Sequence, residues 1–73
     1  MYKWLVKSAR ENIPVVIIYR SLKGNFSKRT IMVHKIHADY IKAFCYSKMQ
    51  YRTFKIERIY AVEPYRERRL PSA

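Results

Sequence analysis

Pro14 separates two stretches whose apolar residues follow different periods, and this switch constrains the fold more than any other feature of the chain. Before it, Tyr2, Leu5, Val6, Ala9 and Ile13 recur at helical spacing, with Lys3, Lys7 and Arg10 on the other side. That pattern predicts a short amphipathic helix over about residues 2–12, with Trp4 packing it onto the body of the domain. A proline biases the preceding residue away from helical geometry, so the helix must stop there. After it the period falls to two. Val15–Ser21 is a β-branched run that reads as a buried strand. Gly24-Asn25 reads as a two-residue hairpin turn with glycine first. Phe26 to about His37, Tyr40–Tyr46, Tyr51–Ile56 and Ile59–Val62 read as four further strands, with a turn at Ser47–Gln50.

A helix and then five short, tightly connected strands within 73 residues leave room for one domain only. The expected fold is mainly β: an N-terminal helix followed by a small five-stranded barrel over about residues 15–63, closed or nearly closed so that exposed edges are removed. Residues 65–73, with Arg66, Arg68 and Arg69, read as a basic, frayed tail. No repeat, low-complexity stretch or internal linker interrupts residues 1–64. The beginning of the sequence has no continuous apolar run, and no segment approaches the ~18 residues of a membrane span. A soluble, cytoplasmic protein that does not engage a membrane is the expectation.

Charge directs the functional reading. Sixteen Lys and Arg against five Asp and Glu give a formal net charge of +11. Self-repulsion of that size costs stability, and an anionic partner is the simplest way to offset it. Signals for catalysis are poor. Asp39 is the only aspartate, and no carboxylate pair, P-loop or dinucleotide-binding glycine pattern occurs. His34 and His37 would lie on opposite faces of a strand and lack a third metal ligand. Cys45 falls on an apolar face, as a buried thiol does, and as the single cysteine it forms no internal disulfide. No enzyme activity, metal or cofactor is expected.

Pairing the third and fourth predicted strands across Ser47–Gln50 sets Tyr46 opposite Tyr51, Phe44 opposite Thr53 and Lys42 opposite Lys55. Alternation then gives one face to Ile41, Ala43, Cys45, Phe54 and Ile56, the natural core. The other face carries Tyr40, Lys42, Phe44, Tyr46, Tyr51, Thr53 and Lys55. Interleaved rings and lysines suit single-stranded nucleic acid, whose bases stack while its phosphates meet the cations. Aromatic residues also simply make good strands, so the same face reads equally as packing covered by the helix or by a second copy. Arginine placement adds to the case. A Gly24-Asn25 turn sets Arg20 opposite Arg29, a like-charge pair that is unfavourable without an anion or carboxylate between them. Arg52 has core-side parity beside Phe54 and needs a ligand, or a bridge to Glu57 or Glu63.

Tyr40-Ile41-Lys42-Ala43-Phe44-Cys45-Tyr46, followed by Arg52-Thr53-Phe54-Lys55-Ile56-Glu57-Arg58-Ile59, resembles the signature half of a WYL domain. That family shows a Trp-Tyr-Leu tripeptide, a short polar turn and an R-x-F-[RK]-[LI]-[DE]-R-I run. Upstream, Ile17-Ile18-Tyr19-Arg20-Ser21 with Gly24 and Arg29 is similar to the family's first hairpin. The resemblance extends to about Pro64. It departs at Asp39, where the signature tryptophan would stand, and at Val33, where proline is common. WYL domains usually follow a helix-turn-helix in bacterial transcription regulators, and none occurs within these residues. The resemblance implies an Sm-like, SH3-type barrel that senses nucleic acid or a nucleotide-like anion. Carried onto this chain, the sensing residues are Tyr19, Arg29, Tyr40, Arg52 and Arg58, with Arg20 added from charge placement. The second reading is a protein-interaction subunit that forms homo-oligomers or partners a helix-turn-helix regulator without binding nucleic acid itself.

Overall fold

The computed structural model describes residues 2–65. Helix α1 (Tyr2–Glu11) is followed by strands β1 (Val15–Arg20), β2 (Phe26–Ile36), β3 (Tyr40–Cys45), β4 (Gln50–Lys55) and β5 (Ile59–Pro64). A 3₁₀ turn, Ile56–Arg58, joins the last two and is absent from the sequence reading. Asn12 takes a left-handed φ of 55° directly after α1 and ends it before Pro14. Of the basic tail only Tyr65 falls within the described residues.

The strands form one antiparallel sheet in the order β4-β3-β2-β1-β5. Its two end strands are not hydrogen-bonded to each other, so in place of the closed or nearly closed barrel expected from the sequence there is an open sheet. The local bonding gives the reason. At the end of β4, the Lys55 amide donates to the Tyr19 hydroxyl at 3.2 Å. The Ile56 amide donates to the Asp39 carbonyl at 3.0 Å. The chain then turns in a 3₁₀ geometry and joins β1 on its far side.

One face of the sheet is the core. Val15, Ile17, Ile31, Val33, Ile41, Ala43, Cys45, Phe54 and Ile59 are buried in a single cluster with Leu5 of α1, and Trp4 and Ile56 pack against it. The core face read from β3 and β4 is thus correct, with Ile56 half-buried at its margin. Burial of such an aliphatic side chain contributes roughly 1.5–3 kcal/mol.

Ser8 is the one buried polar residue among the described positions. Its hydroxyl accepts a hydrogen bond from the Val33 amide at 3.0 Å and donates one to the Ile13 carbonyl, pinning α1 to β2. The bond to Val33 lies where the β2–β3 register shifts, between Val33 and Lys35. An extra residue here, His34, changes the alternation. Val33 and Ile36, three apart, therefore both turn toward the core. The shift also overturns the expectation for the histidines. His34 and His37 both contact tyrosines of the outer face, Tyr51 and Tyr40 respectively, instead of lying on opposite faces.

Both predicted hairpin registers need correction. The β1–β2 turn starts at Ser21. The Gly24 amide donates to the Ser21 carbonyl at 2.9 Å, and Gly24 itself takes the left-handed conformation at φ 87°. This wider turn with a glycine bulge sets Arg20 opposite Phe26 and Ile17 opposite Arg29, not Arg20 opposite Arg29. The slip is three residues, an odd number, so the two arginines leave the ladder on opposite faces. The β3–β4 turn is Tyr46–Met49, which pairs Phe44 with Tyr51, Lys42 with Thr53 and Tyr40 with Lys55. That slip is two residues, so the division of faces survives.

Candidate anion-binding site

The inner face does not stay apolar along its length. Helix α1 packs mainly on β2, with smaller contacts to β5 and β1, and seals the end of the face around Leu5, Val15, Ile31 and Val33. Toward the β1–β2 turn, the same alternation delivers Tyr19, Ser27 and Arg29, and β4 delivers Arg52, opposite Ala43. These side chains border an open hollow of about 490 Å³. Arg20, Arg58 and Lys55 complete its cationic lining, in which there is no acidic residue.

Two of these side chains are held in place. The Arg29 Nε donates to the Ser27 hydroxyl at 3.2 Å, and its Nη1 lies 4.0 Å from the Cys45 sulfur. The Tyr19 ring meets Phe54 edge-on at 5.0 Å, while its hydroxyl accepts the Lys55 amide. Tyr19 thereby ties β1 to β4, strands that are not neighbours in the sheet, across the floor of the hollow. Arg52 is exposed on β4, an edge strand, and among the described residues nothing covers the inner face at that end. Arg58 is half-buried on the 3₁₀ turn.

Five of the six residues assigned from sequence to anion binding therefore meet: Tyr19, Arg20, Arg29, Arg52 and Arg58. Tyr40 does not join them. It lies on the outer face, stacked on His37 at 4.4 Å between centroids. Of the aromatic-basic set, Lys55 borders the hollow, whereas Lys42, Phe44, Tyr46 and Tyr51 are not part of its lining. Ser27 is a positioning group that charge-based reasoning did not single out.

Cys45 is buried as expected, but its neighbours are polar. Its sulfur lies 3.3 Å from the Ser47 hydroxyl, in addition to Arg29. Burial pushes the thiol pKa up. Hydrogen bonds from the Ser47 side chain, the Lys48 backbone and the Arg29 guanidinium outweigh that, leaving it below the ordinary thiol value. Among the described residues no group of three His, Cys, Asp or Glu could hold a metal ion, and no helix is long and apolar enough to cross a membrane.

The family model of the WYL domain matches residues 2–64, nearly the whole chain. The chain belongs to the WYL domain family. Among solved structures, it is similar to the proteasome accessory factor B/C (PafBC) of Arthrobacter aurescens, with a TM-score of 0.79 and 24% identity. The match covers 86% of this chain and 11% of that one, so this WYL domain corresponds to a small part of the larger protein. No curated protein matches the chain.

Proposed function

We propose that this WYL domain is a non-enzymatic regulatory module that senses nucleic acid, single strands in preference to duplexes, or a nucleotide-like anion, by seating phosphate in the hollow at the open end of the inner face. The observation that carries the reading is the lining itself: four arginines and a lysine around one hollow, with no carboxylate among the described residues that line it. Arginines crowded without acids repel one another, and a phosphate with several acceptor oxygens relieves that repulsion through charge-assisted, forked hydrogen bonds. Arg29, fixed by Ser27, offers a preorganised donor, and Tyr19 and Phe54 supply an aromatic floor beside the charge. A groove that combines cations with rings suits single strands, whose bases are free to stack. Such a module would act inside the cell, alone or beside a helix-turn-helix regulator.

The test is a titration of labelled single-stranded DNA, single-stranded RNA and duplex DNA, read by fluorescence anisotropy at several salt concentrations. Single strands are expected to bind, with affinity falling steeply as salt rises. The Arg52→Ala/Arg58→Ala double variant, folded by circular dichroism, is expected to bind at least tenfold more weakly, about 1.4 kcal/mol or more. Equal binding by wild type and folded variant would assign these arginines no part in recognition.

A second reading, association with itself or a partner regulator, is favoured by the open edges of β4 and β5. Unpaired strand edges are templates for pairing. Sedimentation at rising protein concentration without nucleic acid reads it directly.

A further inference from the structure

The outer face of β2, β3 and β4 carries a second pattern, which shares only Thr53 and Lys55 with the arginine hollow. The observed register arranges it into three cross-strand rows. In the first, Met32 pairs with Phe44 and Phe44 with Tyr51. In the second, Lys35 pairs with Lys42 and Lys42 with Thr53. In the third, Tyr40 pairs with Lys55, and the His37 ring lies nearly parallel on Tyr40 at 20°. Rings, cations and rings thus alternate along the strand direction. Adjacent rows are two residues apart, about 6.7 Å, comparable with one nucleotide step of an extended strand.

Three further observations mark this face as a binding surface. Lys35 and Lys42 stand directly opposite each other, a cross-strand like-charge pair that destabilises the sheet unless an anion lies over it. Tyr51 is 58% exposed although its ring edge meets Phe44 at 5.3 Å and His34 at 5.7 Å, so one aromatic cluster is ordered and open at once. Beside it, a hollow of about 240 Å³ bordered by Asn12 and His34 leaves room for a base and places amide and imidazole groups at its rim.

We infer that this outer face is a second binding surface, a stacking platform for single-stranded nucleic acid. One base lies on Phe44 and Tyr51, the backbone phosphates that follow lie over Lys35 and Lys42, and the base two nucleotides further on extends the stack of His37 and Tyr40. Charge complementarity selects this occupant over a second copy of the chain, which carries the same +11 and would bring lysines against lysines. The residues that carry this surface, Phe44, Tyr51, Lys35 and Lys42, do not border the arginine hollow, whereas Thr53 and Lys55 at its margin do.

The test compares a labelled oligodeoxythymidylate with an abasic deoxyribose-phosphate oligomer of equal length, which has the charge without the bases. Tyr51→Ala is expected to weaken the thymidylate about tenfold, the loss of one stacked base, and to leave the abasic oligomer unchanged. Tyr51→Trp is expected to restore binding. Lys42→Glu is expected to weaken both oligomers and to lower the salt dependence of each. If Tyr51→Ala and Lys42→Glu bind both oligomers as wild type does, or alter only self-association in sedimentation, the platform is refuted. The Arg52→Ala/Arg58→Ala variant separates the two sites. Binding lost in it but kept in Tyr51→Ala would leave the hollow standing and overturn the platform. The reverse result would leave the platform standing and overturn the hollow.

Discussion

The two ends of the inner face are built by one alternation along the same strands, yet one is core and the other an open, cation-lined hollow. At the α1 end, Leu5 covers Val15, Ile31 and Val33, all fully or almost fully buried. At the turn end, Tyr19, Ser27, Arg29 and Arg52 occupy equivalent rows with nothing above them, and the face becomes a cation-lined hollow. The sheet supplies a row of positions, and the presence or absence of a lid decides which residue types they can hold. Apolar side chains are stable under the helix because water is excluded there. Arginines are stable at the open end because their head groups stay hydrated.

That contrast can be broken most strongly from the covered end. Leu5→Ala removes the fully buried side chain that α1 lays on the sheet and is expected to cost about 3 kcal/mol in urea unfolding. The folded fraction should still bind oligonucleotide as before, because Leu5 is remote from the hollow. Ser8→Ala should follow at about 2 kcal/mol, since the buried Val33 amide and the partly buried Ile13 carbonyl lose their partner. Loss of less than about 0.5 kcal/mol would show that the helix is held by packing alone.

The open end should respond in the opposite way. Arg52→Leu is expected to shift unliganded stability by no more than about 0.5 kcal/mol, because the side chain is exposed. The same change should lower the slope of log affinity against log salt by about 0.7 for a single strand, one lost phosphate contact. A large drop in stability instead would make Arg52 a structural residue and erase the distinction between the two ends.

The smallest effect lies at the boundary, at Cys45. Its pKa in the folded protein is below the ordinary thiol value, so the folded state releases the proton first as pH rises. Between the two pKa values the unfolded state binds more protons, and stability increases with pH. The contribution is complete above the unfolded value and vanishes as pH falls through the folded one. Cys45→Ser should flatten this alkaline rise in melting temperature, and an unchanged rise would assign it to another group.

Much of the fold was legible because it rests on period. The end of α1 at Pro14 and the strand cores follow from local sequence, as does the division of β3 and β4 into an inner and an outer face. Hairpin register was less accessible. A two-residue slip at β3–β4 left the faces intact, whereas the three-residue slip at Gly24 took Arg20 off the ladder position opposite Arg29, although both border the hollow. The second error came from assigning Gly24 to the first position of a tight turn, when its left-handed φ closes a longer one begun at Ser21. At His34 the bulge carries no local signature, and it put both histidines on the side that alternation denied to one of them.

By itself, the sequence determined the helix-then-strands order, the WYL resemblance and the excess of positive charge, because periodicity, motif and composition are properties of neighbouring residues. Only the tertiary structure decided where the charge is spent. Arg29 of β2, Arg52 of β4 and Arg58 of the 3₁₀ turn border one hollow because the sheet curls until Tyr19 reaches the end of β4, and Tyr40 is turned away from them by the pleat. Curvature sums small twists over five strands and depends on which edge amides find partners. No local stretch of the chain records that sum.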